Sequence, residues 1–177
     1  QHRQPAQPVD RQGLGDPRLV REVFRRQWCS AVRTSEPPVV VEEAYDQPVE
    51  AVWRAITDVK EMCCWYFDCI PAFEARVGFE TEFTISNEGR EFPHLWDVTE
   101  VEPGRKIVYG WRFRGYPGHG MVTFELEERG ENTRLILTNE VLEDFPDDIP
   151  EFRRESCLAG WQYLLGQSLK EYLQSTA

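Results

Sequence analysis

Three cysteines fall within one short stretch, Cys63, Cys64 and Cys69, and two histidines, His94 and His119, follow further along the chain. Thiols and imidazoles are what zinc takes as ligands, and a thiol beside a base can act as a nucleophile. A structural zinc site needs about four converging ligands. Adjacent cysteines rarely aim at one ion, and no second paired Cys or His motif accompanies them, so the sequence predicts free thiols and no metal site. Nothing resembles a nucleophile elbow, a phosphate loop or a paired-histidine zinc motif, so no catalytic residue and no cofactor is implied. The glycine-rich run Gly115–Gly120 carries His119. It sits between strands and opens no helix, which makes it a poor anion cradle. His119 is the one polar candidate for the mouth of a pocket, where an imidazole serves as acid or base.

A second group of residues could bind rather than react. Trp65, Phe67, Phe83, Trp96, Tyr109, Trp111, Phe113, Phe124 and Trp161, joined by Leu165, are bulky and recur at positions that fall on buried faces. Two outcomes are open. The rings fill the interior as a solid core, or they line a pocket in which Tyr109, Trp111 and Trp161 offer polar tips to a guest.

The elements that would position these residues follow from periodicity. Val39–Asp46 reads as a strand. Pro48 opens a helix through Val49, Val52, Trp53 and Ile56, and Asp58 caps a second short helix running to about Tyr66. Period-two stretches then follow: 79–86, 95–102, 106–114, 121–128 and 133–142, separated by turn residues such as Glu102-Pro103-Gly104-Arg105. Strands at this spacing form an antiparallel meander with one covered and one wet face. A long helix closes the chain, with Cys157, Trp161, Leu164, Leu165, Leu169, Tyr172 and Leu173 as its apolar stripe and Asp147-Asp148 offered as caps. The fold class is α+β, with a curved antiparallel sheet wrapped around that helix.

The chain divides at Glu36-Pro37-Pro38 into an arm, 1–38, and a domain, 39–177. After a polar, proline-bearing start without the apolar run of a secretory signal, Asp16-Pro17 begins a basic amphipathic helix. Its apolar face is Leu19, Val20, Val23, Phe24 and Trp28, with Arg18, Arg21, Arg25 and Arg26 between. Whether this helix plugs the pocket, pairs two chains as a homodimer or hangs free is open. The arm carries seven arginines and four acids, and the remainder 13 basic and 27 acidic residues. So acidic a body repels a phosphate backbone, which excludes nucleic acid as a partner. No stretch is apolar enough for a membrane span. Five cysteines in no regular framework suit reduced thiols and a cytoplasmic setting.

The run PVEAVWRAITD, the stretch around VGFETEF, WDVTEVEPGRKIVYGWRF and the closing GWQYLLGQSLKEYL resemble the helix-grip, START-like superfamily. Within it they are most similar to the branch named for the activator of heat-shock protein 90 ATPase. The likeness spans about Val39 to Gln174. It implies a helix-grip fold and a small hydrophobic or aromatic ligand held between sheet and C-terminal helix. Two alternatives come with the superfamily. One is a co-chaperone-like module that takes a chaperone as partner. The other is a cyclase- or hydrolase-type enzyme acting in the same cavity.

Overall fold

The computed structural model describes residues 33–177. The expected arm helix after Asp16 lies outside the described residues, so the division at 38 stays an expectation. Strand β1 (Val39–Tyr45) is followed by helices α1 (Val49–Thr57) and α2 (Val59–Trp65). Five strands come next: β2 (Glu80–Asn87), β3 (Arg90–Glu102), β4 (Lys106–Phe113), β5 (His119–Arg129) and β6 (Asn132–Glu143). They form one antiparallel sheet in the order β1-β6-β5-β4-β3-β2. It is curved and open, with the C-terminal helix on its concave side: the helix-grip arrangement.

Local chemistry explains the boundaries. The Asp58 carboxylate accepts from the backbone N–H groups of Lys60 (2.9 Å) and Glu61 (3.3 Å), capping α2. The Arg105 N–H donates to the Glu102 carbonyl at 2.9 Å, closing the β3–β4 turn. Strand β3 begins five residues before the expected start. Pro93 concealed that start, because a proline cannot donate to a ladder. Here Pro93 lies just beyond the last β3–β4 pair, His94↔Phe113, and its carbonyl accepts from Arg114 at 2.9 Å.

The last helix differs from its expectation in two ways. Asp147 and Asp148 do not cap it. A 3₁₀ turn, Pro150–Phe152, intervenes, and the helix starts at Arg154 after Arg153, with no side-chain cap. Pro150 has no N–H to give and begins a turn of its own, while Asp147 pairs with Arg33 at 2.6 Å. The helix is also not α throughout. Arg154–Tyr163 (α3) and Lys170–Ser175 (α4) flank a π-helical segment, Leu164–Leu169. Cys157, Trp161, Leu165, Leu169 and Leu173, all buried, are spaced by four. At 3.6 residues per turn, a spacing of four drifts about 40° per step. The wider π turn takes up part of that drift and keeps the whole series against the sheet.

Candidate functional site

The inner face of the sheet is read along cross-strand rows. One row runs Trp96–Trp111–Gly120–Val141, and the next runs Val98–Tyr109–Val122–Asn139–Val39. All of these side chains point toward the C-terminal helix and are buried. Trp161 of α3 completes the wall from the helix side, with its ring 5.9 Å from both Trp111 and Phe124.

Tyr66, directly after α2, is the hub. Its ring lies 4.7 Å from Trp65, 4.6 Å from Phe67, 5.4 Å from Trp96 and 5.9 Å from Trp161. Its hydroxyl meets the Tyr109 hydroxyl at 3.0 Å. Burial pushes the Tyr109 phenol well above its usual range, and the Tyr66 hydrogen bond offsets only part of that. Phe67 sits among Phe83 (5.4 Å), Trp96 (5.9 Å) and Trp111 (6.2 Å).

Seven of the residues singled out in the sequence therefore meet in one ring cluster: Phe67, Phe83, Trp96, Tyr109, Trp111, Phe124 and Trp161. Trp65 backs the hub, and its indole N–H donates to the Ala55 carbonyl at 2.8 Å. Phe113 touches the cluster through Trp111 (6.5 Å). It also joins a second group with Phe145 (5.9 Å) and Phe152 (5.2 Å) at the start of the helix. Leu165 is fully buried in the π segment, and its carbonyl accepts from the Tyr45 hydroxyl at 2.9 Å. Ser168, in the same segment, donates to the Trp65 carbonyl at 2.7 Å, which ties the helix to the end of α2. His119 stands on the other side of the sheet. It lies beside Arg112, whose guanidinium donates to its ring at 3.3 Å. Partial burial and the Arg112 charge lower its pKa.

Sequence reading missed Tyr66, His94 and Asn139. His94 is fully buried and stacked on Phe83 at 4.9 Å, and its Nδ1 is 2.8 Å from the Phe92 carbonyl. Burial lowers its pKa to about 3, so the ring is neutral at any ordinary pH. Its phase with Trp96 was visible once β3 was extended past Pro93. Asn139 falls in step with Leu135, Leu137 and Val141 on β6. A polar residue at a core position of an alternating strand was the available signal.

Three polar groups in the cluster are unanswered. The indole N–H groups of Trp96, Trp111 and Trp161 are buried and meet no acceptor among the described residues. Each such group costs about 1–3 kcal/mol in a closed core. Asn139 donates weakly to the Cys157 thiol at 3.4 Å, and its side-chain oxygen accepts nothing. Next to it, Gly120 leaves the inner face bare: a Cβ placed there would meet nothing closer than 3.5 Å.

The buried carboxylate Glu151 makes the contrast. Its Oε1 accepts from Asn87 (3.0 Å) and from Arg90 (2.8 Å), pinning the 3₁₀ turn to the β2–β3 hairpin. Burial alone would raise its pKa, but these partners outweigh burial and hold it below the usual range.

The outer face also holds an open pocket of about 390 Å³, lined by Glu80, Glu82, Leu95, Asp97, Arg112 and Arg114 among others. Arg114 grips Glu82 with two hydrogen bonds, 2.9 and 2.6 Å. Among the described residues no three His, Cys, Asp or Glu side chains converge as a metal site, and no helix is long and apolar enough to cross a membrane.

The family described as "Activator of Hsp90 ATPase homolog 1-like protein" matches residues 46–174. The chain belongs to this family. No curated protein matches the sequence. Among solved structures, protein CV1439 from Chromobacterium violaceum is 26% identical, covering 78% of this chain and 96% of that one, with a TM-score of 0.61. Protein MLL2253 from Mesorhizobium loti is 24% identical over 79% and 98% of the two chains, with a TM-score of 0.63. DynU16, from the dynemicin biosynthetic locus, is 24% identical over 80% of this chain and 48% of its own, with a TM-score of 0.61. At these identities the last two share the fold alone.

Proposed function

We propose that this family member binds a small hydrophobic or aromatic molecule between the inner face of the sheet and the C-terminal helix. The observation that carries this reading is the set of three buried indole N–H groups, on Trp96, Trp111 and Trp161, with no protein acceptor. Native interiors pair their polar atoms, and an orphan set in one cluster marks a place where a partner from outside completes the bonding. The bare inner surface at Gly120, beside Trp111 in register, supports the same location. Apolar burial would drive association at about 25 cal/mol per Å². His119, on the outer face, does not reach this space, which leaves the enzyme alternative without its candidate acid or base.

The test is a fluorescence titration with the neutral hydrophobe N-phenyl-1-naphthylamine, exciting tryptophan. Saturable quenching in the micromolar range is expected for the native chain. It should be lost in Gly120→Val, which fills the bare spot while keeping native circular dichroism. A titration with no saturable component rejects the proposal.

A further inference from the structure

Resting on that binding reading, we infer that the guest is an uncharged aromatic carbonyl compound that also carries a hydroxyl group, rather than a plain hydrocarbon or an ionised lipid. The inference comes from which polar atoms are left open, and where. Trp96, Trp111 and Gly120 are consecutive on one row of the sheet. Two orphan N–H donors thus sit in register with the residue that has no side chain, and Trp161 brings a third from the helix. In the neighbouring row the unpaired side-chain oxygen of Asn139 lies 3.7 Å from the position a Gly120 Cβ would take. One spot is therefore edged by N–H donors and by a single carbonyl acceptor. A ketone or ether oxygen answers the first, and a hydroxyl donor answers the second. The surrounding rings supply stacking surface for a planar frame.

Charge narrows the class further. The buried polar and charged residues are Asn87, His94, Thr133, Asn139, Glu151 and Ser168, and no lysine or arginine is among them. The one carboxylate, Glu151, is taken up by Arg90 and Asn87. His94 stays neutral. An anionic or cationic guest would find no counter-charge inside and would keep its full desolvation penalty.

Four compounds of one shape decide the matter: fluorene, 9-fluorenone, 2-hydroxy-9-fluorenone and 9-fluorenone-4-carboxylate. Affinities come from equilibrium dialysis, and the indole ¹⁵N–¹H resonances are followed by NMR. The ketone should bind about tenfold tighter than fluorene, the gain of one net hydrogen bond. The hydroxyketone should bind tightest, and the carboxylate at least about tenfold weaker than the ketone. The ketone should shift at least one of the three indole N–H resonances downfield, and fluorene should shift none in that direction. Trp111→Phe, which keeps a ring and removes the N–H, should narrow the gap between ketone and hydrocarbon. Asn139→Leu should erase only the preference for the hydroxyl. Equal binding of fluorene and fluorenone without indole shifts overturns this inference and leaves the binding reading intact. So does a tightest-binding carboxylate, or failure of all four while the naphthylamine still binds. If the naphthylamine also fails, both readings fall.

Discussion

The two faces of the one sheet handle polarity in opposite ways. On the outer face, charged side chains find each other: Arg114 with Glu82, Lys106 with Glu100, and Arg134 with Glu42 and Glu127. Solvent could have served them, so their pairing is worth little. On the inner face, where solvent cannot serve, three indoles and an asparagine oxygen go unanswered. Stability is easiest to lose where polar groups are buried, yet that is where this molecule leaves them open. The outer face is finished as it stands, and the inner face is finished only with something added.

The sharpest way to break this contrast is to remove a ring from each side. Trp161→Ala should cost about 3–5 kcal/mol in urea denaturation, the cost of truncating a large buried aromatic. If Trp161→Ala proves as mild as an outer-face change, the inner face is not a packed structural wall.

Acid titration comes next. Above pH 6.5 His94 is neutral whether the chain is folded or not, and stability is indifferent to pH through this group. Below 6.5 the unfolded chain takes up a proton that the folded chain refuses until about pH 3. Stability therefore falls across that window, by a few kcal/mol in total. His94→Phe should flatten the slope between pH 6.5 and 4 in denaturation midpoints. An unchanged slope would mean that His94 is not held neutral in the interior.

A smaller effect sharpens the role of the π segment. Tyr45→Phe removes the donor that answers the Leu165 carbonyl, at about 1–3 kcal/mol. Amide exchange should rise first in Leu164–Leu169. Smallest of all, Glu82→Ala on the outer face should cost under about 1 kcal/mol. That pair is exposed, and salt should abolish even this difference.

Much of the fold was legible in the chain. Ile107, Tyr109, Trp111 and Phe113 alternate along β4, and all four are buried. Asp58 was readable as a cap because a short acid before a helix has one inexpensive use. The start of β3 was hidden, since Pro93 argues against a strand unless the ladder is known to stop beside it. Likewise Asp147-Asp148 looked like a cap, and only the placement of Pro150 moved the helix start to Arg154. At the site, the aromatic wall was visible from strand phase. Tyr66 was not, because Trp65-Tyr66-Phe67 leave a helix end and their directions depend on the turn that follows. The unanswered donors were beyond any sequence argument: whether an indole finds an acceptor depends on long-range geometry.

The π segment has a consequence for how this chain can change length. A hydrogen-bonded ring there encloses one more residue than an ordinary helical turn. Deleting a single residue between Leu164 and Leu169 would tighten the coil locally and leave both flanking helices intact, an allowance that α3 and α4 lack. The cost would fall on aim, since everything after the deletion would swing around the axis by roughly a quarter turn or more relative to Trp161. Leu169 and Leu173 would then leave the sheet together.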